Sequence, residues 1–203
     1  MVAAVLIVFA VEVSLDEFYA ERGRVGTPRP ERCPACGHGG VTFAGWWTKQ
    51  TRRGPVGVHR VLCASKPCGT THSCWPDVLV GGRVDPAGVI GAALEVKAAG
   101  WGHRRAAERL GVPEGTVRGW LRRFALVASA VARALAAATA AADPVVRAPP
   151  EADAFQVAVA WVRLAGAALH SLSGQPVDRW GFAVMVTCGR LLAPPAGVAS
   201  AAA

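Results

Sequence analysis

The sequence predicts an α+β fold that is mostly α: a small N-terminal β module, then a three-helix unit, then further helices. Three observations predict it. The first 80 residues hold short β-branched and aromatic runs punctuated by glycine and proline, together with five of the six cysteines. From Asp85 to Phe124 the apolar spacing changes to three and four residues, the period of a helix. Beyond Phe124 the chain is alanine-rich and strongly helix-forming. The 203 residues, 52% of them hydrophobic and largely alanine and valine, suit one large domain or two small ones and exclude a disordered composition. The expected boundaries are about 1–80 for the β module, 84–125 for the three-helix unit, 126–193 for an alanine-rich helical C-terminal region and 194–203 for a disordered tail of small residues.

The N-terminal eleven residues, MVAAVLIVFAV, lack the basic start of an export signal, and the apolar run ends at Glu12. A bilayer span needs about 20 apolar residues, so a buried strand over residues 2–9 is expected instead. Ser14 followed by Glu17 has the spacing of a capping box, which places a short helix carrying Phe18 and Tyr19 directly after it. Thr27, Pro28 and Pro30 then interrupt regular structure.

Cys33 and Cys36 form a C-x2-C pair in RCPACGHGG, and Cys63 and Cys68 form a second pair in LCASKPCG. Between them, VTFAGWWTKQTRR and VGVHRVL read as two strands separated by Gly54, Pro55 and Gly57. Two thiolate pairs on tight turns, one hairpin apart, can converge on one tetrahedral Zn2+ as in zinc ribbons, and Gly37 and Gly69 directly after a cysteine suit such turns. A module this small has little core, so a structural metal would supply folding free energy on the order of 10 kcal/mol. The second pair is C-x4-C, and His72 and Cys74 lie close enough in sequence to replace one ligand. Disulfides and free buried thiols are the alternatives; a reducing compartment, expected in the absence of an export signal, disfavours disulfides. Cys188 stands apart and reads as a small core residue.

Asp85 as a cap and Pro86 in the first turn start a helix over about 86–99, with Gly100 ending it. A second helix is expected over about 103–110. Ala107 is small where two helices cross closely, Gly111 supplies a left-handed turn, Val112 plugs the corner, and Pro113 with Glu114 starts a third helix. In that helix Val117, Trp120, Leu121 and Phe124 form one apolar face, while Thr116, Arg118, Arg122 and Arg123 lie on the other with Gly115 and Gly119 between them. This is the spacing of a helix-turn-helix, and the preceding helix packed across it closes a homeodomain-like core. A plain αα-hairpin would also bury an apolar stripe and leave arginines in solvent. The helix at 114–124 runs into ALVASAVARALAAATAAADP, which prolongs it; Pro144, Pro149 and Pro150 mark a linker. Two further helices, about 154–170 and 177–192, are each shorter than a membrane span and lie in a stretch, residues 143–203, of zero net charge, so they suit packing, either on the three-helix unit of the same chain or in a homodimer.

The net charge of +8 is uneven: +7 over residues 22–60 and +4 over residues 101–124, against −4 over residues 1–21. That distribution suits a polyanionic partner. Downstream of the helix-turn-helix the only acids are Asp143, Glu151, Asp153 and Asp178, with no strand pattern around them to hold catalytic metals, and no phosphate-cradling glycine loop or activated nucleophile stands out. Catalysis is not expected.

The order of parts resembles a bacterial family of N-terminal zinc-ribbon plus homeodomain-like helix-turn-helix proteins with no assigned reaction, similar to the DNA-binding front ends of insertion-sequence transposases. It is carried by SLDEFYAERG, PRPERCPACG, the tryptophan-bearing strand, the second knuckle leading to GTTH and a tryptophan-proline, DPAGVIGAALE and RRAAERLGVPEGTVRGWLRRF, over about residues 1–125. The resemblance implies metal ligands at Cys33, Cys36, Cys63 and Cys68 and a recognition helix over about 114–124. The expected function is therefore non-enzymatic binding of double-stranded DNA in a bacterial cytoplasm. Thr116, Arg118 and Gly119, behind Glu114 at the helix start, would lie nearest base edges, with Arg122, Arg123, Arg104 and Arg105 on phosphates and Lys49, Arg52, Arg53 and Arg60 extending those contacts. A transposase fragment or accessory, and a zinc-ribbon protein-interaction module without DNA binding, are the alternative readings.

Overall fold

The computed structural model describes residues 6–24, 26–150 and 153–193. Among the described residues ten elements follow one another: β1 (Leu6–Phe9), α1 (Leu15–Ala20), β2 (Val41–Thr51), β3 (Gly54–Cys63), β4 (Thr71–Pro76), α2 (Ala87–Ala98), α3 (His103–Leu110), α4 (Glu114–Ala142), α5 (Ala154–Ser173) and α6 (Arg179–Val186). The α+β, mostly α architecture is the expected one. The first five residues and the tail over 194–203 lie outside the described residues, so the start of the expected first strand and the expected tail do too.

Four strands form one sheet in the order β1-β4-β3-β2. β2 and β3 are the expected hairpin, antiparallel from Val41↔Cys63 to Thr51↔Gly54. β4 is an addition to the expected strands. THSCWP shows no apolar alternation, and it becomes a strand because it pairs antiparallel with β3 and parallel with β1, 67 positions earlier at Leu6↔Ser73. Ser14 caps α1 as expected: Glu17 N–H donates to Ser14 Oγ at 3.2 Å. Asp85 does not cap α2. Its carboxylate is buried and accepts two hydrogen bonds from the Arg52 guanidinium on the β2–β3 hairpin, so Pro86 is the N-cap instead.

One continuous core joins the sheet to the helices. Phe18, Val56, Val58 and Trp75 pack into the same cluster as Ile90 and Leu94 of α2, Val117, Trp120, Leu121 and Phe124 of α4, Val159 and Val162 of α5, and Trp180 of α6. A smaller cluster of Phe9, Cys33, Val41, Val61, Cys63 and Cys74 lies under the cysteine knuckles. α4 is 29 residues long and bears on α2, α3, α5 and α6, so the helix expected at 114–124 is the first third of the central rod of the fold. α5 and α6 rest on α4 and α2 of their own chain: Trp180 Nε1 and the Arg179 guanidinium both donate to Glu95. α5 extends to Ser173 and so reaches 20 residues, longer than expected; α4 and α5 both have the length and apolarity of a bilayer span, with 39% and 44% of the relevant stretches buried within the fold.

Candidate nucleic-acid interface and metal centre

The turn between α3 and α4 is built as the residues require. Gly111 adopts φ +62 at the end of α3, a conformation that costs a side-chain-bearing residue roughly 1 kcal/mol. Val112 N–H then donates to Ala107 O at 3.1 Å and its side chain is buried at the corner. Ala106 and Ala107 are buried where α3 crosses its neighbours, which leaves room for close approach. Thr116 and Val117 N–H groups both donate to Pro113 O, so α4 begins without a side-chain cap.

α4 presents Gly115, Arg118, Arg122 and Ala125 to solvent along one stripe, with Val117, Trp120, Leu121 and Phe124 buried behind it. Thr116, Gly119 and Arg123 are half-buried on one flank of that stripe. Arg118 and Arg122 line an open cleft together with Lys97 at the end of α2 and His103 at the start of α3. Lys97 and His103 were absent from the sequence expectation, and a cation in the last turn of α2 was the available signal. Arg105 stacks over the half-exposed Trp101 ring, its Cζ 3.5 Å from the centroid.

Glu114 holds the two helix starts together. Its Oε1 accepts from His103 Nε2 at 2.8 Å and from Arg104 Nε at 3.3 Å. Partial desolvation pushes the Glu114 carboxyl up, but these two partners outweigh it and hold it below its usual range. Arg104 remains a surface group, with 84% of its side chain exposed.

Arg123 curls back along its own helix and donates to Gly119 O at 3.2 Å. A Cβ at position 119 would stand 2.9 Å from that guanidinium, so Gly119 provides the seat for Arg123. Burial first, and then Arg123, holds the Arg83 guanidinium below its usual range, and burial and then Arg83 do the same to Lys49. Lys49 is buried, its Nζ 5.6 Å from the Trp75 ring centroid. Arg52 is paired with Asp85, and Arg53 is paired with Asp16 while lying 4.5 Å over the Tyr19 ring. Of the four basic residues expected on the β module, Arg60 is exposed with no such partner among the described residues.

The second constellation is the cysteine cluster. Cys33, Cys36, Cys63 and Cys68 bring their sulfurs within 4.8 Å of one another. Cys33 and Cys68 sulfurs are 3.9 Å apart and Cys36 and Cys63 sulfurs 3.7 Å. A tetrahedral ion with sulfur bonds of about 2.3 Å requires sulfur separations of about 3.8 Å, so the residues fit a metal ion. The four are free thiols, well beyond disulfide bonding distance.

The longer second knuckle closes because Cys68 and Gly69 N–H groups both donate to Ser65 O, while Ala64 N–H donates to Gly40 O and ties one knuckle to the other. The Thr70 hydroxyl and amide pull the Cys68 thiol down to about 6, whereas burial pushes Cys63 up to about 12. His72 and Cys74 do not replace a ligand. His72 is buried with Nε2 3.3 Å from Cys33 Sγ, a hydrogen bond to a member of the cluster, and Cys74 Sγ faces Pro28 O at 3.9 Å.

No curated protein and no solved structure matches the chain. Residues 90–126, from within α2 through α3 and into α4, match the family described as homeodomain-like domain.

Proposed function

We propose that the protein binds double-stranded DNA through α3 and the first third of α4, without catalysing a reaction, and that Cys33, Cys36, Cys63 and Cys68 hold a structural Zn2+. The observation that carries the reading is the homeodomain-like match over residues 90–126 falling on a helix pair whose outward stripe is Gly115, Arg118, Arg122 and Ala125. Such a helix fits the major groove, with Arg118 at base edges and Arg122 on phosphate. Gly115, with no neighbour within 4 Å of a notional Cβ, lets the helix start lie close to the DNA backbone. Thr116 and Gly119 flank the base contacts. Arg105 and Arg104 reach the opposite phosphate strand, and Lys49, Arg83 and Arg123 add to the positive potential.

Zinc is the ion of choice for four thiolates at these separations, and the His72 contact to Cys33 is the outer-shell hydrogen bond that such ligands use. The reading places the protein in a bacterial cytoplasm, on the nucleoid, as a transcription regulator or as the recognition partner of a transposition system. The test is a fluorescence-anisotropy titration of the full chain against mixed-sequence duplex DNA at two salt concentrations. Tight binding that weakens steeply with salt supports the reading, and a folded, zinc-loaded protein that ignores duplex DNA at low salt overturns it.

A further inference from the structure

The outer strand of the sheet carries a surface that the helix-turn-helix does not use. Phe43 and Trp46 of β2 are 50% and 52% exposed. Three residues apart, they would point to opposite faces of a regular strand. The register shifts between them, at Gly45 with φ +92, and restores the parity: Phe43 stands opposite Val61 and Trp46 opposite His59. Both rings therefore rise from one face, two residues of β3 apart, which is about 6.8 Å.

The surroundings fix these rings and charge the surface. A Cβ at Gly57 would meet the Trp46 ring at 3.4 Å, so the indole lies across that glycine. Arg24 Cζ is 5.4 Å from the Trp46 centroid, and Arg22, held at φ +53 with its carbonyl accepting from Gly57 N–H, lines the same cleft of about 220 Å³. Neither arginine is ion-paired among the described residues. His59 packs edge-on to Phe43 with centroids 5.7 Å apart, and its Nε2 is buried without a hydrogen-bond partner.

We propose that this face binds single-stranded nucleic acid, with unpaired bases stacking on Phe43 and Trp46 and the phosphates beside Trp46 on Arg22 and Arg24. Bases in a duplex are paired and stacked on one another, so only the bases of an unpaired strand can lay a face on these rings. Aromatic platforms interleaved with cations are the recurring chemistry of such sites. Residues 22–60 carry eight lysines and arginines against the single acid Glu31, which favours a polyanion. An apolar protein partner would bury the two unpaired arginines at a cost.

The experiment compares fluorescein-labelled oligothymidylate, oligouridylate and mixed-sequence duplex in anisotropy titrations of the full-length protein. The variants are Phe43→Ala, Trp46→Ala, Trp46→Phe and the double variant Arg118→Ala/Arg122→Ala, each checked for native circular dichroism. Each alanine at the aromatic positions is expected to weaken single-strand binding about tenfold, with Trp46→Phe close to wild type and duplex binding unchanged. Arg118→Ala/Arg122→Ala should weaken duplex binding and spare the single strand, so the two sites fail separately. Preference for the deoxy or the ribo strand identifies its source and supports the site in either case. Wild-type protein that binds no single strand at low salt overturns the proposal. So does a Trp46→Ala protein that keeps single-strand affinity, whether or not its sedimentation changes as a protein interface would require.

Discussion

Two side chains at the joint between sheet and helices show how single residues set stability. Gly91 on α2 faces Trp180 on α6, and an added Cβ would fall 2.2 Å from the indole. Alanine in a helix interior gains about 1 kcal/mol over glycine, but overpacking a ring held by Glu95 costs more, so Gly91→Ala should lower stability by about 2 kcal/mol in denaturant titration. Asp77 is buried at the end of β4, accepts from Val11 N–H at 3.1 Å and lies close to Asp178, the N-cap of α6, across Gly181. Burial first, and then the Asp178 charge, push its carboxyl from 3.8 up to about 6. The folded state therefore holds this proton where the unfolded state releases it, and the contribution of Asp77 to stability falls as pH rises from about 4 to 6. Asp77→Asn should match wild type below pH 4 and exceed it above pH 6 by about 2 kcal/mol, visible as a Tm difference that opens across that window. Neither effect was legible in the sequence, because both depend on partners about 90 to 100 positions away.

Among the elements, those fixed by local chemistry were readable and those fixed by distant pairing were not. α3 ends where Gly111 turns left-handed, and α1 starts where Ser14 caps it, so nearest-neighbour signals sufficed. The turn at the second knuckle, by contrast, depends on Ser65 O gathering two amides, which a C-x4-C spacing does not announce. β4 forms only because β1 and β3 flank it, and Asp85 abandons the cap of α2 for Arg52, 33 positions earlier. The two exposed glycines of the helix-turn-helix separate local strain from function. Gly111→Ala should cost about 1 kcal/mol, since its φ of +62 disfavours a side chain although no neighbour obstructs one. Gly115→Ala sits in regular helix with open space around it, so it should raise stability by about 1 kcal/mol and, if the helix start approaches a DNA backbone, weaken duplex binding. Higher stability with unchanged DNA affinity would remove Gly115 from the interface.

At the scale of the molecule, α4 links the candidate interface to everything else: its first turns carry Arg118 and Arg122, and its later turns support α5 and α6 in the same core that reaches Trp75 and Phe18. The cysteine knuckles have their own small cluster, apart from the helical core. With the proposed Zn2+ bound, chelation or Cys36→Ser should release it and disorder the knuckles while the helical circular dichroism persists; simultaneous loss of both would show that the ion holds the whole fold. The convergence of the four cysteines was visible from their spacing and the outward side of Arg118 and Arg122 from helical periodicity. The clasp of Glu114 with His103 and Arg104, and the seat of Arg123 on Gly119, required the packed helices. The most direct test of the central claim is the salt dependence of duplex binding by wild type and Arg122→Ala. The account predicts weaker binding to every duplex sequence and a slope of log K against log salt reduced by about one. An unchanged slope with unchanged affinity would contradict it and take the exposed stripe of α4 off the DNA.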